Sequence, residues 1–540
     1  MRIRVFLFIL IAFFFVLNFI PSFQRDLWEP DEPRFVLVAK EMVDSGNFIM
    51  PHRNKKPYPD KPPFYFWTIV ASSKLTGGFN TQSGTLPVAI AGTLSILITF
   101  LIALKLGFNE EIAFASAIVF ASSIKVWWQS SHAQIDMLLS FLIYLSVYLA
   151  LLYLIDKKEW AITLSFFLMG LATLTKGPVG LIIPLGSIIV YLLWAKKWRK
   201  TKIFTFKTVS AYLFPVLLWL VLLILQAVSS GNIAYLENIL FKQTVVRFAK
   251  SWHHFQPVYY YIKVLIYDFF PWSLFLYYFL WRMWKGRKES TLTDTDRFLL
   301  SWFLFTVVFF SIPSGKRGLY ILPMYPAISI LVASKLYQFK EERWLKPAII
   351  AISLAVFLIS SIILFYGFDK FNTSWEYFTL STLPFLIAFA IILVNRKNRV
   401  KALNYIVVPG FFMFYIFATV NTLVFPYLNK RNSMRFFVQE YSKYLDKNSK
   451  VAICQFRSAH VLYGNRNLVE FPYQDEEDNI DLFVKYLRET PHSFGIISKH
   501  WCEKLKNMGL PVVVLLEKKV GNKALCFIKM EKGENNNGKD

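Results

Sequence analysis

The stretch Val5–Phe35, VFLFILIAFFFVLNFIPSFQRDLWEPDEPRF, decides the fold class because an apolar run is followed at once by a charged, proline-framed motif. The run Val5–Ile20 approaches the length of a membrane span, and no small residues of a signal-peptide cleavage site follow it. We therefore expect a retained first span. The motif Trp28–Arg34 then places three acids and an arginine at the membrane edge, where carboxylates are costly unless they are solvated, paired or functional.

The composition indicates a polytopic membrane protein. Of the 540 residues, 55% are hydrophobic and only 18% are charged, whereas a soluble domain carries about 25% charged and about 45–50% apolar residues. This mixture excludes an ordinary cytosolic protein, a disordered chain and a disulfide-rich scaffold. The net charge of +25 is compatible with nucleic acid, an anionic membrane or an anionic substrate, and the position of the basic residues must decide among them.

Apolar runs that approach the roughly 20 residues needed to cross a bilayer recur along the chain. These thirteen runs are 4–23, 85–106, 111–129, 134–155, 160–176, 178–195, 208–229, 258–281, 298–313, 319–337, 346–367, 376–395 and 403–425. A further aromatic segment, 62–76, is either a short interfacial helix or a fourteenth span. The positive-inside rule favours thirteen spans and a cytoplasmic N-terminus, because the most basic short loops, including 196–200 and 396–399, then lie in the cytoplasm.

The pattern changes after Pro426 from apolar runs to alternating strands and helices. Strands are predicted at 451–456, 494–498, 512–516 and 524–530, and helices at 479–489 and 501–508. We expect a membrane domain over 1–428 with a first outer loop over 24–84, a small α/β domain over 429–532, and a disordered tail over 533–540. Cys454, Cys502 and Cys526 all fall in the small domain, either as buried thiols or with at most one internal disulfide.

Each of three candidate residues can be explained either by a structural role or by a role in binding or catalysis. Asp31 is either the N-cap of an interfacial helix or part of an acidic site. Lys61, in Tyr58–Trp67 (YPDKPPFYFW), either binds a lipid phosphate or extends from an interfacial helix towards water. Asp136 either stabilises the N-terminus of its span through the helix dipole, or shares the outer face with Asp31 and Lys61.

Two further basic segments lie on the same outer face in this topology. One contains Lys242, Arg247, Lys250, His253 and His254, and the other is the turn Ser314–Pro323, which contains Lys316 and Tyr320. Adjacent histidines chelate a single metal ion poorly, so Asp60, His253 and His254 make only a weak metal site. Asp268, near Lys263 inside the predicted span 258–281, is expected to be a buried polar group or to face a pore.

The candidates thus collect at one membrane face, where two carboxylates, several cations and many aromatic residues occur together. This combination predicts an anionic, lipid-linked substrate. Nucleic acid is excluded as a partner, because the basic residues are divided between cytoplasmic loops and this outer face.

In this order the motifs resemble those of the lipid A 4-amino-4-deoxy-L-arabinose transferases, within the protein O-mannosyltransferase superfamily of GT-C glycosyltransferases. Trp28–Arg34 resembles the family's Asp-Glu-x-Arg motif, Asp60–Pro63 its Glu-Lys-Pro-Pro motif, Gln134–Leu138 its second acidic motif, and Gly315–Pro323 its Lys-x-x-x-Tyr-x-Leu-Pro loop. The chain departs from the pattern at Asp60, where Glu is usual, and at Thr85, where Arg is customary. These departures leave the identity of the sugar open.

The resemblance implies a GT-C fold with about thirteen transmembrane helices and periplasmic juxtamembrane helices in the bacterial inner membrane. The N-terminus would be cytoplasmic and the C-terminal domain periplasmic. Aminoarabinose or a similar sugar would pass from undecaprenyl phosphate to lipid A with inversion. No cofactor would be required, and the weak site described above is a candidate for a divalent metal ion. The essential acids would be Asp31 and Asp136, and the substrate or the carrier phosphate would be bound by Arg34, Lys61, Arg247, Lys316 and Tyr320.

Two other classes compete with this interpretation. A related GT-C enzyme would transfer a sugar to protein or to another glycan, and a transporter would move the lipid-linked sugar without transferring it. A transporter should carry ionisable residues near the bilayer midplane, whereas most charges here cluster at the ends of spans. In an enzyme the acceptor decides what the acids do: a hydroxyl needs a general base, and a phosphate is already ionised.

Overall fold

The computed structural model describes residues 2–240, 255–286, 292–371, 403–454, 462–464, 468–471 and 478–531. Most of this chain forms a helix bundle. Its first part consists of α1 (Arg2–Phe19), α2 (Glu32–Ser45), α3 (Phe64–Leu75), α4 (Thr81–Lys105), α5 (Glu110–Ala121), α6 (Ile124–Ser131), α7 (Ile135–Asp156), α8 (Glu159–Lys176) and α9 (Val179–Trp194). The second part consists of α10 (Phe206–Ser229), α11 (Ile233–Glu237), α12 (Tyr260–Asp268), α13 (Trp272–Lys285), α14 (Asp294–Ser311), α15 (Tyr325–Gln338), α16 (Leu345–Phe371), α17 (Asn404–Thr419) and α18 (Phe425–Asn432).

Six segments within the described ranges are long and apolar enough to cross a membrane, and α5 with α6, bent by 63°, adds a seventh if the pair is one span. The six are Ile3–Phe23, Thr81–Lys105, Ile135–Asp156, Phe206–Ser229, Gly318–Gln338 and Asn404–Asn432. The chain is therefore a multi-pass membrane protein. The predicted span 258–281 is divided between α12 and α13, and 376–395 lies outside the described residues. The count of thirteen stays a prediction.

Helix α10 shows how the bundle meets lipid. Only five of its 24 residues are buried, and the spacing of Pro215, Trp219, Leu223 and Ala227 puts four of them on one face. The remaining apolar side chains, such as Leu225 at 63% exposure, point outward. A helix that is apolar on every side, yet buried on only one, is suited to a hydrocarbon environment.

The segment 62–76 forms the short helix α3, in agreement with the interfacial interpretation. Its 12 residues span only about 18 Å, less than the roughly 30 Å of a bilayer core. Tyr65 and Phe66 are fully buried, and Phe35 of α2 makes an edge-to-face contact with Tyr65 at 5.5 Å. The helix thus packs within the first loop region.

The loop between α2 and α3 contains a small antiparallel hairpin, formed by β1 (His52–Arg53) and β2 (Lys56–Pro57). Its two turn residues, Asn54 and Lys55, have φ angles of 51° and 62°. Two consecutive residues with positive φ are typical of the tight turn that suits the twist of a hairpin, and asparagine adopts this conformation readily. The hairpin fixes the start of the segment that leads to Asp60 and Lys61.

The C-terminal residues form a mixed sheet covered by helices, as the sequence predicts. Its elements are α19 (Met434–Tyr441), β3 (Lys450–Cys454), β4 (Leu468–Phe471), α20 (Asp478–Glu489), β5 (Ser493–Ser498), α21 (Lys499–Asn507), β6 (Val512–Val520) and β7 (Lys523–Met530). The strand order is β4-β3-β5-β7-β6; β3 is parallel to β4 and β5, and β7 is antiparallel to β5 and β6. Helices α20 and α21 contribute to one apolar cluster of the sheet, and α19 contributes to the other.

The three cysteines are buried free thiols, which is the plainer of the two sequence interpretations. Cys502 of α21 and Cys526 of β7 share an apolar cluster, and a hydrogen bond between them lowers the pKa of Cys502. These two sulfur atoms therefore lie close together. The strand β4 was not predicted, because its four residues carry too short a pattern.

Helix α18 and the C-terminal domain hold the loop between α1 and α2. The backbone N–H of Glu29 donates to the carbonyl of Asn432 at 3.1 Å, and the Tyr463 hydroxyl donates to the carbonyl of Leu27 at 3.4 Å. The Asn429 side chain accepts from the Trp28 indole at 2.8 Å, and its amide donates to the first loop as well. Residues roughly 400 positions further along the chain thus hold the loop that carries the acidic motif.

Candidate functional site

A buried ion pair between Arg25 and Glu32 forms the base of the candidate site. The two side chains are only 1% and 2% exposed, and Arg25 Nη2 lies 2.8 Å from Glu32 Oε1. Glu32 also accepts from the backbone N–H groups of Trp28 at 2.7 Å and Ala133 at 2.6 Å. Because its partners come from the first loop and from the turn between α6 and α7, Glu32 joins the two segments that carry Asp31 and Asp136.

An aromatic cluster surrounds this pair. His132 stacks on Trp128 with ring centroids 4.0 Å apart, and Trp28 and Phe425 meet the imidazole edge-on at 5.5 Å and 5.2 Å. Burial, assisted by Arg25, lowers the pKa of His132 to about 3. The imidazole is therefore neutral at physiological pH and belongs to the packing beneath the site.

Asp31 points into the site instead of capping its helix. It occupies the N-cap position of α2, as the plainer sequence interpretation expects, but its side chain makes no capping hydrogen bond. One carboxylate oxygen lies 2.5 Å from Arg34 Nη2 and the other lies 3.3 Å from Arg317 Nη2. Burial alone would raise the pKa of Asp31, but Arg34 and Arg317 outweigh burial and lower it.

Asp136 is buried in the first turn of α7 and forms an ion pair with Lys176, the last residue of α8. The Lys176 ammonium group also lies 4.8 Å from the centre of the Tyr320 ring. Lys176 therefore connects the second acid to the late aromatic loop. The sequence analysis did not include Lys176 as a site residue, although its position at the end of an apolar run, just before Gly177 and Pro178, was a usable signal.

The turn before Tyr320 reaches the acids through Arg317. Lys316, which we expected to bind substrate, is buried, and its ammonium group donates to the backbone carbonyls of Gln256 at 3.0 Å and Pro313 at 2.5 Å. Arg317 instead faces the site: burial lowers its pKa, but Asp31 and Asp136 together raise it. Within the predicted turn, the structure thus places the guanidinium group of Arg317, and not the ammonium group of Lys316, next to Asp31.

The remaining predicted residues are only partly described. Asp60 and Lys61 are half-buried in the turn before α3. Burial lowers the pKa of Arg34, but the nearby Tyr58, Asp31 and Asp60 raise it, so Asp60 lies within electrostatic reach of the acidic motif. Arg247, His253 and His254 lie outside the described residues.

The structure does not test the predicted metal site. Among the residues that the structure describes, no three histidine, cysteine or acidic side chains come together in a geometry that could hold a metal ion. The weak site formed by Asp60 with His253 and His254 stays a prediction, because both histidines fall in the range 241–254, which is outside the described ranges.

A second buried ion pair supports the Arg317 turn from behind. Asp268 of α12 lies 2.9 Å from the ammonium group of Lys125 on α6, whereas Lys263, its neighbour in sequence, stacks against Tyr259 at 5.0 Å. A Cβ atom on Gly318 would lie 2.9 Å from Asp268 Oδ2. A larger residue at position 318 would therefore displace the Asp268 carboxylate from this ion pair.

The described part of the site combines two carboxylates, Asp31 and Asp136, with the cations Arg34, Lys176 and Arg317. The excess of positive charge favours an anionic ligand, and the half-buried positions strengthen its electrostatic contacts. This arrangement can bind a phosphate group and stabilise negative charge that develops on it.

The architecture of the chain is the GT-C fold, and this fold defines its structural class. The structure of ArnT from Cupriavidus metallidurans bound to undecaprenyl phosphate matches 97% of this chain and 98% of that chain with a TM-score of 0.76, at 18% sequence identity. The apo state of the same protein matches with the same TM-score of 0.76, at 19% identity.

Sequence comparisons point to the same group of proteins. The profile of the dolichyl-phosphate-mannose-protein mannosyltransferase family matches residues 60–222. Undecaprenyl phosphate-alpha-4-amino-4-deoxy-L-arabinose arabinosyl transferase from Pseudomonas aeruginosa UCBPP-PA14 is 28% identical over 336 residues, which cover 61% of this chain and 59% of that protein. The protein of the same name from Wigglesworthia glossinidia brevipalpis is 29% identical over 391 residues, covering 69% of this chain and 67% of that protein. These comparisons confirm the resemblance seen in the motifs.

Proposed function

We propose that this chain is an integral membrane glycosyltransferase that moves aminoarabinose or a similar sugar from undecaprenyl phosphate to lipid A. The names of its sequence relatives support the donor and the sugar class. The observation that carries the proposal is the meeting of Asp31 and Asp136 with Arg34, Lys176 and Arg317 at one end of the bundle.

The cations would hold the carrier phosphate. Arg317 and Lys176 each contact one of the two acids, so an arriving phosphate would compete with a carboxylate for each of them. As the bond to the sugar breaks, negative charge grows on the carrier phosphate, and these cations stabilise it. Lys61, Arg247 and Tyr320 complete the phosphate site in this proposal, as the family resemblance implies.

The lowered pKa of Asp31 favours a phosphate acceptor. A carboxylate held between two guanidinium groups is a weak base, so it is poorly suited to remove a proton from a sugar hydroxyl. A lipid A phosphate carries an ionised oxygen at neutral pH and needs no base. Asp31 and Asp136 would then orient the sugar, for example through its amino group.

The transfer is a single displacement at the anomeric carbon. A lone pair of the acceptor oxygen forms the new C–O bond on the face opposite the carrier. The bond between the anomeric carbon and the carrier phosphate oxygen breaks, and its electron pair stays on that oxygen. The configuration inverts, and no proton has to move when the acceptor is a phosphate. Holding both lipids in one bundle makes the encounter effectively intramolecular.

The same proposal assigns a location to each part of the chain. Residues 1–428 form the catalytic membrane domain, with the loop 24–84 on the periplasmic side. Residues 429–532 form a periplasmic domain over that loop, followed by the tail 533–540. The N-terminus is cytoplasmic, the membrane is the bacterial inner membrane with about thirteen spans, and no cofactor is needed for the displacement.

The test is mass spectrometry of lipid A from cells that lack or carry the chain. We expect a sugar-sized mass increase with the wild type and none with Asp31→Asn. Asp44→Asn is the matched control, because Asp44 is an exposed acid on the same helix. Unmodified lipid A in cells that contain the folded protein and its donor would contradict the proposal and favour a protein or glycan acceptor. Lipid translocation that survives Asp31→Asn, without any sugar transfer by the wild type, would indicate a transporter.

A further inference from the structure

A basic cavity of about 490 Å³ lies at the end of the bundle opposite the candidate site. Helix α7 has Asp136 in its first turn and Asp156 at its end, and its 22 residues span about 33 Å. The cavity is lined by the ends of α4, α7 and α9, by the loop after α9, and by the start of α14. It is therefore too far from Asp31 and Arg317 to belong to the site described above.

The polar wall of the cavity carries four lysines. Lys105 is 2.5 Å from Asp156, and Lys197 is 2.6 Å from Asp294. Lys157 donates to the carbonyl of Leu154 at 3.1 Å, and neither it nor Lys200 has a carboxylate partner in the described part of the chain. The cavity thus holds two more positive than negative groups.

The inner wall of the cavity is apolar. It is formed by Leu106, Leu151, Leu154, Leu192 and Phe298. Trp194 and Trp198, which are 39% and 37% exposed, flank the loop beside it. Partly exposed tryptophans are enriched at the level of lipid headgroups, so the cavity lies where the polar and apolar parts of a lipid meet.

We propose that this cavity binds the phosphate headgroup of an anionic membrane lipid. The lysines would neutralise the phosphate, and the leucines and Phe298 would contact the glycerol and the upper acyl chains. Basic pockets between membrane helices bind anionic headgroups by this combination of charge and apolar contact. A bound lipid would connect α4, α7, α9 and α14 at the end of the bundle remote from catalysis.

The experiment is native mass spectrometry of the full-length protein in detergent with added phosphatidylglycerol, and with phosphatidylcholine of the same acyl chains. The test variant is Lys157→Asn with Lys200→Gln; asparagine is chosen because position 157 has a φ of 59°. Lys202→Gln with Lys207→Gln is the matched control, since both lysines are exposed and neither lines the cavity.

We expect the wild type and the control to prefer phosphatidylglycerol, and the test variant, which lacks two lysines, to bind it about thirtyfold more weakly, because each lysine near an anionic headgroup contributes on the order of 1 kcal/mol. Sugar transfer should persist in all of them. Equal phosphatidylglycerol binding by the test variant and the wild type would overturn the proposal. So would displacement of the lipid by inorganic phosphate at millimolar concentration, which would indicate a soluble anion. If the test variant does not fold, the wild type alone provides the test. Tighter binding of phosphatidylglycerol than of phosphatidylcholine would support the proposal, and equal binding of the two lipids would overturn it.

Discussion

Neutralising Glu32 and neutralising its neighbour Asp31 should impair different properties of the protein. Glu32→Gln removes the charge from a carboxylate that is 2% exposed and paired with Arg25, which is 1% exposed. Asp31→Asn removes the charge from a carboxylate that is 15% exposed and faces the candidate site. We therefore expect the first substitution to reduce stability and the second to reduce sugar transfer.

The size of the stability loss in Glu32→Gln follows from the burial of the Arg25–Glu32 pair. Neutralising one partner of a fully buried ion pair leaves the other charge without compensation and costs about 3–5 kcal/mol. The backbone N–H groups of Trp28 and Ala133 would also lose a charged acceptor. The control Asp44→Asn breaks an exposed pair with Lys40 on the same helix, and such pairs contribute at most about 0.5 kcal/mol.

The assay combines thermal unfolding of the purified protein in nanodiscs with sugar transfer at two temperatures. Glu32→Gln should unfold several degrees below the wild type and regain part of its transfer activity at low temperature. Asp31→Asn should unfold near the wild type and lose about 100-fold or more in transfer rate at both temperatures. Asp44→Asn should match the wild type in both measurements.

Two results would refute this reasoning. If Glu32→Gln unfolds at the wild-type temperature, the Arg25–Glu32 pair does not hold the loop. If Asp31→Asn loses as much stability as Glu32→Gln and recovers transfer on cooling, Asp31 acts through folding and not at the site.

Three further predictions concern the late turn, the pH profile and the thiols. Arg317→Gln should lower the transfer rate, measured with purified donor and acceptor, by a larger factor than Lys316→Gln, because only Arg317 contacts an acid of the site; the reverse order would contradict the assignment. Burial raises the pKa of Asp31, but Arg34 and Arg317 outweigh burial and hold this pKa below 3.8. The carboxylate therefore stays ionised down to about pH 5, and protonation of Asp31 should not lower the wild-type transfer rate above that pH. Removing Arg317 lets this pKa rise, so the acid limb of the rate profile should move to higher pH, and an unchanged limb would argue against Asp31. Cys454, Cys502 and Cys526 are buried free thiols, so a water-soluble thiol reagent should label them only after the protein unfolds, and rapid labelling of the native protein would contradict this.

Much of the fold could be read from the sequence, because its signals are long and local. The apolar runs that became α4, α7 and α10 were predicted within a few residues, and the positive-inside rule favoured the interfacial interpretation of the short aromatic segment that became α3. The strand β4 was missed, since four residues hold too little periodicity. The bend between α5 and α6 was missed as well, because an apolar run does not show where its helix turns.

The site was only partly predictable, because ion-pair partners are chosen by tertiary structure. The sequence indicated Asp31 and Asp136, but it could not show that Lys176 would reach Asp136 from the far end of α8. It also could not separate Lys316 from Arg317, since neighbouring residues in a turn point in different directions and only the fold decides which one faces the acids.

The attachment of the last domain to the first loop also sets the order in which the protein becomes active. The loop carrying Asp31 is synthesised early, and Asn429 and Asn432, which hold it, follow roughly 400 residues later. At about 5–20 residues per second, the interval is on the order of 20–80 seconds. During that time the acidic motif can make its contacts with Arg25 and Ala133, but it lacks those from Asn429 and Asn432. Under the proposed function, a partly synthesised chain would therefore present the helices that hold lipid before its acidic loop is fully held, and full activity would begin only after Asn432 has been made.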